Sequence, residues 1–132
     1  MVDTNVVLSA LISDSTTREV IKNLDHDIFS PVYLQKEIKK HRELVQEKSG
    51  ISEKETKILI EKIFRYINFI PESEVKEYRE PAKEAIEDTD PDDVLFVATA
   101  LAVDGAVWSD DTDFLRQDRV EVLTTEDIVH EF

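Results

Sequence analysis

From Val94 to Val103 the chain reads VLFVATALAV, ten residues of which only Thr99 is polar. The valines alone would suit a strand. The length, the three alanines and the preceding Asp90-Pro91 pair, a cap followed by a proline at the first helical position, predict a helix instead. A helix that is apolar all round is buried on most sides rather than amphipathic. The rest of the chain has to surround it.

That remainder alternates helical and extended stretches. Val6, Val7, Leu8, Ala10 and Leu11 predict a first helix, and Ser15, Thr16 or Thr17 can cap a second running to about Leu24. Ile28 and Phe29 predict a brief strand ending at Ser30. Ser30 followed by Pro31 reads as a helix start and Gly50 as a stop, so residues 31 to 48 are expected as one helix, with Leu34, Ile38, His41 and Val45 as its buried stripe. Ser52 and Glu55 form a capping box for a helix over about 52 to 67 whose inner face is Leu59, Ile60, Ile63, Phe64 and Ile67. Phe69 and Ile70 predict a strand. Pro81 divides residues 72 to 90 into two helical pieces with a mainly solvated surface. Asp104 and Gly105 end the apolar helix, Ala106 to Ser109 and Val120 to Leu123 predict two further strands, and Thr124 or Thr125 caps a short last helix.

Short apolar strands alternating with helices, with almost no hairpin signal, predict an α/β domain around a parallel sheet. The chain of 132 residues is expected to be one domain, 1–132, with a real core. Only Met1 and Val2 precede Asp3, so the first strand is either a stub completed by other segments or the end of one that begins upstream. The opening residues carry no basic region and place Asp3 inside the apolar run, so they do not read as a signal peptide. No stretch approaches the roughly 18 apolar residues of a membrane span. Cysteine is absent, which excludes a thiol nucleophile and a zinc ribbon and suits a reducing cytosol.

With 30 acidic and 16 basic residues the formal net charge is −14, which opposes long-range attraction to nucleic acid. Bound divalent cations would reverse the sign locally. Only two glycines are present, Gly50 and Gly105, so neither a phosphate-cradling loop nor a dinucleotide fingerprint can be built. No serine sits in a nucleophile elbow, and His26, His41 and His130 lack the i, i+4 pairing of a zinc protease, so each reads as a core or surface residue. Carboxylates remain. Ligands of open parallel sheets bind beyond the carboxyl ends of the strands. Asp3 follows the first strand, and Asp110, Asp111 and Asp113 follow the strand Ala106 to Ser109. Asp92 and Asp93 begin the apolar helix, and Glu37 lies at the edge of another helix's buried stripe. These motifs hold no lysine or arginine to offset the repulsion, so the expected compensator is Mg²⁺ or Mn²⁺, hard ions that take oxygen ligands. Such a site suits phosphodiester hydrolysis by an activated water, with no protein nucleophile.

Each acid also has a plain structural account. Asp92 and Asp93 complement a helix dipole, worth about 0.3 to 1 kcal/mol each at exposed positions. Asp110, Asp111 and Asp113 can form a polar turn, and Glu37 can be a solvated helix residue. The run Lys36, Lys39, Lys40, His41 and Arg42 is the one dense positive patch and the local candidate for phosphate contact.

Three stretches, Asp3-Thr4-Asn5, Asp93 through Leu101, and Trp108-Ser109-Asp110-Asp111-Thr112-Asp113-Phe114, resemble the signature stretches of PIN-domain proteins, in the family's order and across nearly the whole chain. The resemblance implies a three-layer α/β/α sandwich with a central parallel sheet and a metal-dependent nuclease, usually acting on RNA. It implies frequent homodimers and, in many prokaryotic members, a toxin held by an antitoxin. By motif, Asp3, Asp93 and Asp111 match the metal-site aspartates, Glu37 resembles the helical acid, and Asp113 looks like the variable fourth aspartate. Ser109 stands where the family carries threonine or serine, orienting the neighbouring carboxylate, with Asn5 in support. The acids are doubled at Asp92-Asp93 and Asp110-Asp111, which leaves the register open by one residue at each.

Two functions are therefore expected to compete. One is an Mg²⁺- or Mn²⁺-dependent ribonuclease using Asp3, Glu37, Asp93 and Asp111, with Asp113 assisting and Lys36, Lys39, Lys40 and Arg42 on the RNA. The other is a noncatalytic module whose acidic pocket receives a basic segment of a partner protein.

Overall fold

The computed structural model describes residues 1–12, 16–86, 91–111, 114–115 and 117–132. Helices α1 (Thr4–Ile12) and α2 (Thr16–Asn23) lead to strand β1 (Ile28–Pro31). Helices α3 (Tyr33–Lys40), α4 (Arg42–Ser49) and α5 (Glu53–Phe64) then precede β2 (Ile67–Ile70). Two 3-10 turns, α6 (Arg79–Ala85), α7 (Pro91–Ala102), β3 (Val107–Trp108), β4 (Val122–Leu123) and α8 (Thr125–Glu131) complete the order.

β1 pairs in parallel with β2, and β3 in parallel with β4. The residues joining these ladders are Met1 and Val2. Val2 bridges Trp108 in parallel on one side and donates its amide to the Phe29 carbonyl at 2.8 Å on the other. The Trp108 amide binds the Met1 carbonyl, the Asp3 amide binds the Trp108 carbonyl, and the buried Ser30 hydroxyl donates to the Val2 carbonyl at 3.0 Å. Met1 and Val2 are thus hydrogen-bonded to neighbouring strands on both sides.

Helix α7 is buried as its composition requires. Val94, Phe96, Val97, Ala98, Thr99 and Ala100 are all buried, and the Thr99 hydroxyl satisfies itself on the Leu95 carbonyl. It packs on β1 and α6, while α2 to α5 gather around α1, whose Val6, Val7, Ala10 and Leu11 are buried. The result is the α/β/α arrangement with parallel strands that the sequence implied.

Several boundaries differ from expectation, each for a tertiary reason. Ser30 and Pro31 belong to β1, not to a helix start. Pro31 pairs with Ile70 at the strand end, and the next amide, from Val32, donates to the Ile70 carbonyl. The expected single helix over 31 to 48 breaks at His41 (φ −97°, ψ 11°) into α3 and α4, and His41 is exposed rather than part of the buried stripe. Ile67 leaves the predicted helix to pair with Ile28 in the sheet. Pro81 causes no break: it sits in the first turn of α6, where its missing amide has no intrahelical acceptor to lose, and the chain before it forms the two 3-10 turns Glu72–Glu74 and Lys76–Tyr78. After α7 the left-handed residue is Asp104 (φ 51°) and not Gly105. The Ser52 cap and the Thr124 cap form as read, the latter in a full capping box with Asp127, while Ser15, Asp90 and Asp113 lie outside the described residues.

Candidate functional site

Asp3 is where sheet and helix meet. Its backbone leaves the central stub, and its side chain caps α1, with one carboxylate oxygen accepting from the Val6 amide at 3.0 Å. The other oxygen accepts from the Ser109 hydroxyl at 2.5 Å. That same hydroxyl oxygen accepts from the Asp111 amide at 3.0 Å, so Ser109, just beyond β3, ties the first acid to the backbone of the next. Asp3 is buried, and burial, joined by the charges of Asp111 and Asp110, pushes its carboxyl up to about 6 against the pull of its two hydrogen bonds. Among the described residues, none of the groups acting on Asp3 is a countercharge.

The other acids arrive from separate elements. Glu37 sits half-buried on α3 between the buried Leu34 and Ile38 and accepts from the Thr4 hydroxyl at 3.3 Å. Thr4, at the start of α1, thus reaches across to α3. Asp92 and Asp93 occupy the first turn of α7, and the Tyr33 hydroxyl donates to Asp92 at 3.2 Å. Asp3, Glu37, Asp92, Asp93 and Asp111 together line one cavity of about 190 Å³, with Thr4, Asn5, Leu8, His41, Phe96 and Phe114 completing its wall. It lies beyond the carboxyl ends of neighbouring strands, where parallel sheets place their ligands. Among the described residues, none lining it is a lysine or arginine.

The doubled acids separate in different ways. Asp110 turns away: its two oxygens accept from the Thr125 amide at 2.8 Å and the Thr125 hydroxyl at 2.7 Å, anchoring α8. That leaves Asp111 for the cavity. Asp92 and Asp93 both line it, so the fold does not choose between them as it does between Asp110 and Asp111.

Lys36, Lys39, Lys40 and Arg42 are exposed and do not line the cavity; they flank it on α3 and α4 around His41, which does. Tyr33 and Phe96 were not singled out for the site by sequence, and His41 was read only as part of the basic run and the buried stripe. For two of them the signal was helical spacing: His41 lies four residues after Glu37, and Phe96 three after Asp93. A larger cavity of about 350 Å³ lies at the other ends of the strands, lined by Val2, Leu24, Ile28, Trp108, Ile128 and Phe132 among others. Its lining includes two acids, Asp27 and Asp104, against the five of the smaller cavity.

The donor set fits a hard divalent cation in kind, all carboxylate oxygen. Among the described residues no three acids or histidines stand ready around one point. Several of their oxygens are occupied by Val6, Ser109, Thr4 and Tyr33. Mg²⁺ retains several waters and needs only one or two direct carboxylates, so the chemistry of the set remains suitable.

Among the described residues no helix is long and apolar enough to cross a membrane. No curated protein and no solved structure matches the chain. The family model of the PIN domain matches residues 1–132, the full length. Parallel strands, acids in the expected order and this match agree: the chain belongs to the PIN-domain family and has its nuclease-type fold.

Proposed function

We propose that the protein is an Mg²⁺- or Mn²⁺-dependent endoribonuclease, with Asp3, Glu37, Asp93 and Asp111 holding one or two ions and Asp113 assisting. The observation that carries this reading is the convergence of five carboxylates from four separate segments on one cavity with no lysine or arginine in its described lining. A bound divalent ion supplies a lowered pKa for the attacking water and positive charge for the scissile phosphate and the leaving oxygen. The chain's own residues do the positioning. Ser109 and the Val6 amide fix both oxygens of Asp3, Thr4 fixes Glu37, and Leu8, Phe96 and Phe114 form the apolar part of the wall. Lys36, Lys39, Lys40 and Arg42, beside the opening, hold phosphates flanking the cleaved one. A cytoplasmic role on RNA, a homodimer and regulation by an antitoxin-like protein belong to the same reading.

The second reading, favoured by the net charge of −14, is a noncatalytic module whose acidic pocket receives a partner's basic side chain. Calorimetry with Mn²⁺ separates them, because a pocket that binds no ion at millimolar concentration cannot run the hydrolysis. The ribonuclease reading expects Asp3→Asn and Asp93→Asn each to abolish Mn²⁺-dependent cleavage of single-stranded RNA. Unchanged cleavage in both variants sinks it.

A further inference from the structure

A second concavity departs from the chemistry of everything around it. Between α2 and the end of α5 lies a groove of about 630 Å³ lined by Arg18, Lys22, Leu59, Lys62, Ile63, Arg65 and Tyr66. Four of these residues are basic and none is acidic, in a chain where acids outnumber bases 30 to 16. The bases are not equivalent. Arg18 is fixed on the Ala10 and Leu11 carbonyls at the end of α1, and Lys22 pairs with Glu19 at 3.8 Å. Lys62 and Arg65 form no ion pair among the described residues. Beside them Tyr66 is 44% exposed, a large ring to leave in solvent. Lysine and arginine stems with Leu59 give the floor its apolar character.

From this arrangement we infer that the α2/α5 groove is a second contact for single-stranded RNA, with Lys62 and Arg65 on backbone phosphates and one base stacked on Tyr66. The inference rests on the ribonuclease reading. Cations without an ion pair among the described residues, next to an exposed aromatic ring, make the combination of charge and stacking that holds single strands with little regard to sequence. Helix α1 links this groove to the acidic cavity: Thr4, Asn5 and Leu8 line the cavity, while the carbonyls that hold Arg18 are at its other end. From Asp3 to Leu11 the helix rises about 12 Å, a distance that several nucleotides span. The groove thus adds grip on long RNA without touching the bond that is cut.

The test compares the full-length protein with its Lys62→Ala/Arg65→Ala double variant in Mn²⁺, on an RNA of roughly 20 nucleotides and on a dinucleotide. Each lost phosphate contact lowers the slope of log affinity against log salt by about 0.7, so two contacts predict a slope smaller by about 1.4 and a KM for long RNA raised roughly 10- to 30-fold near 0.1 M salt. The expected result leaves kcat, and all cleavage of the dinucleotide, unchanged. Tyr66→Ala is expected to raise KM about fivefold or more, and Tyr66→Phe, which keeps the ring, to restore it. If wild-type protein cleaves RNA while the double variant keeps the same KM and salt slope, the groove assignment is wrong and the nuclease reading stands. If the double variant keeps its KM but loses binding to polyglutamate, the groove serves an acidic polypeptide and the assignment is again wrong. A wild-type protein that neither binds nor cleaves RNA overturns both.

Discussion

The parallel strands of this protein end in two different hollows. At their carboxyl ends is the smaller one, about 190 Å³, walled by five acids with a few apolar side chains. At their amino ends is one of about 350 Å³, where Val2, Leu24, Ile28, Trp108 and Ile128 dominate. Size therefore points one way and chemistry the other. The difference follows from chain direction: residues leaving a strand continue into the start of a helix or a turn, where free amides welcome a carboxylate, as Val6 welcomes Asp3.

The comparison breaks most visibly at Asp111. On the ribonuclease reading, Asp111→Asn is expected to reduce Mn²⁺-dependent cleavage by at least about a hundredfold, because even outer partners of a metal ligand cost 10- to 100-fold when removed. Activity close to wild type would move the centre elsewhere. In the larger hollow, Ile128→Ala removes a side chain that is 5% exposed and is expected to cost about 2 to 5 kcal/mol of stability by denaturant titration. The specific activity of the folded fraction should stay unchanged; a selective loss of kcat would mean that this end too takes part in the chemistry.

Asp3 offers a sharper contrast through pH. Its carboxyl titrates near 6 in the folded protein against 3.8 unperturbed, so folding favours the protonated form. The associated stability is fully present below about pH 4 and is lost as pH rises through about 6, a difference of about 3 kcal/mol. Asp3→Asn keeps a capping oxygen and removes the charge. In chelator it is expected to unfold at a higher temperature than wild type near pH 7.5, with the gap closing below about pH 4. Mn²⁺ should then raise the wild-type transition and leave that of the variant in place. A variant less stable by the same amount at both pH values would show that burial of the charge is not what Asp3 costs. The smallest effect belongs to Asp110→Asn, which weakens the hold on Thr125 by about 1 kcal/mol and leaves cleavage near wild type. Loss of cleavage there would exchange the roles of Asp110 and Asp111.

What could be read from sequence was what local pattern determines. The apolar helix α7, the Ser52 and Thr124 caps and the parallel class follow from composition, spacing and order, while the grouping of Asp3, Glu37, Asp93 and Asp111 came from the resemblance to PIN-domain proteins. Hidden were the features decided by distant partners. Ser30-Pro31 has every local mark of a helix start, but pairing with β2 draws both residues into the sheet. His41 fits the apolar spacing of its helix until that helix breaks, after which it faces the acids. Asp92 is a good dipole residue by position, and only the fold reveals Tyr33 across from it. The choice between Asp110 and Asp111 rests on Thr125, a residue 15 positions away from Asp110.

The two-residue central strand has a consequence for when the site can exist. Ser109, which orients Asp3, is 106 positions further along the chain, and the Met1 carbonyl is held by Trp108. At ribosomal speeds of about 5 to 20 residues per second, some 5 to 20 s separate the two ends of that contact. During that interval the nascent chain contains Asp3 but has neither the strand that seats it nor the hydroxyl that aims it. The acidic cavity that Asp3 and Asp111 share is thereby built so that it closes only after most of the polypeptide has been made.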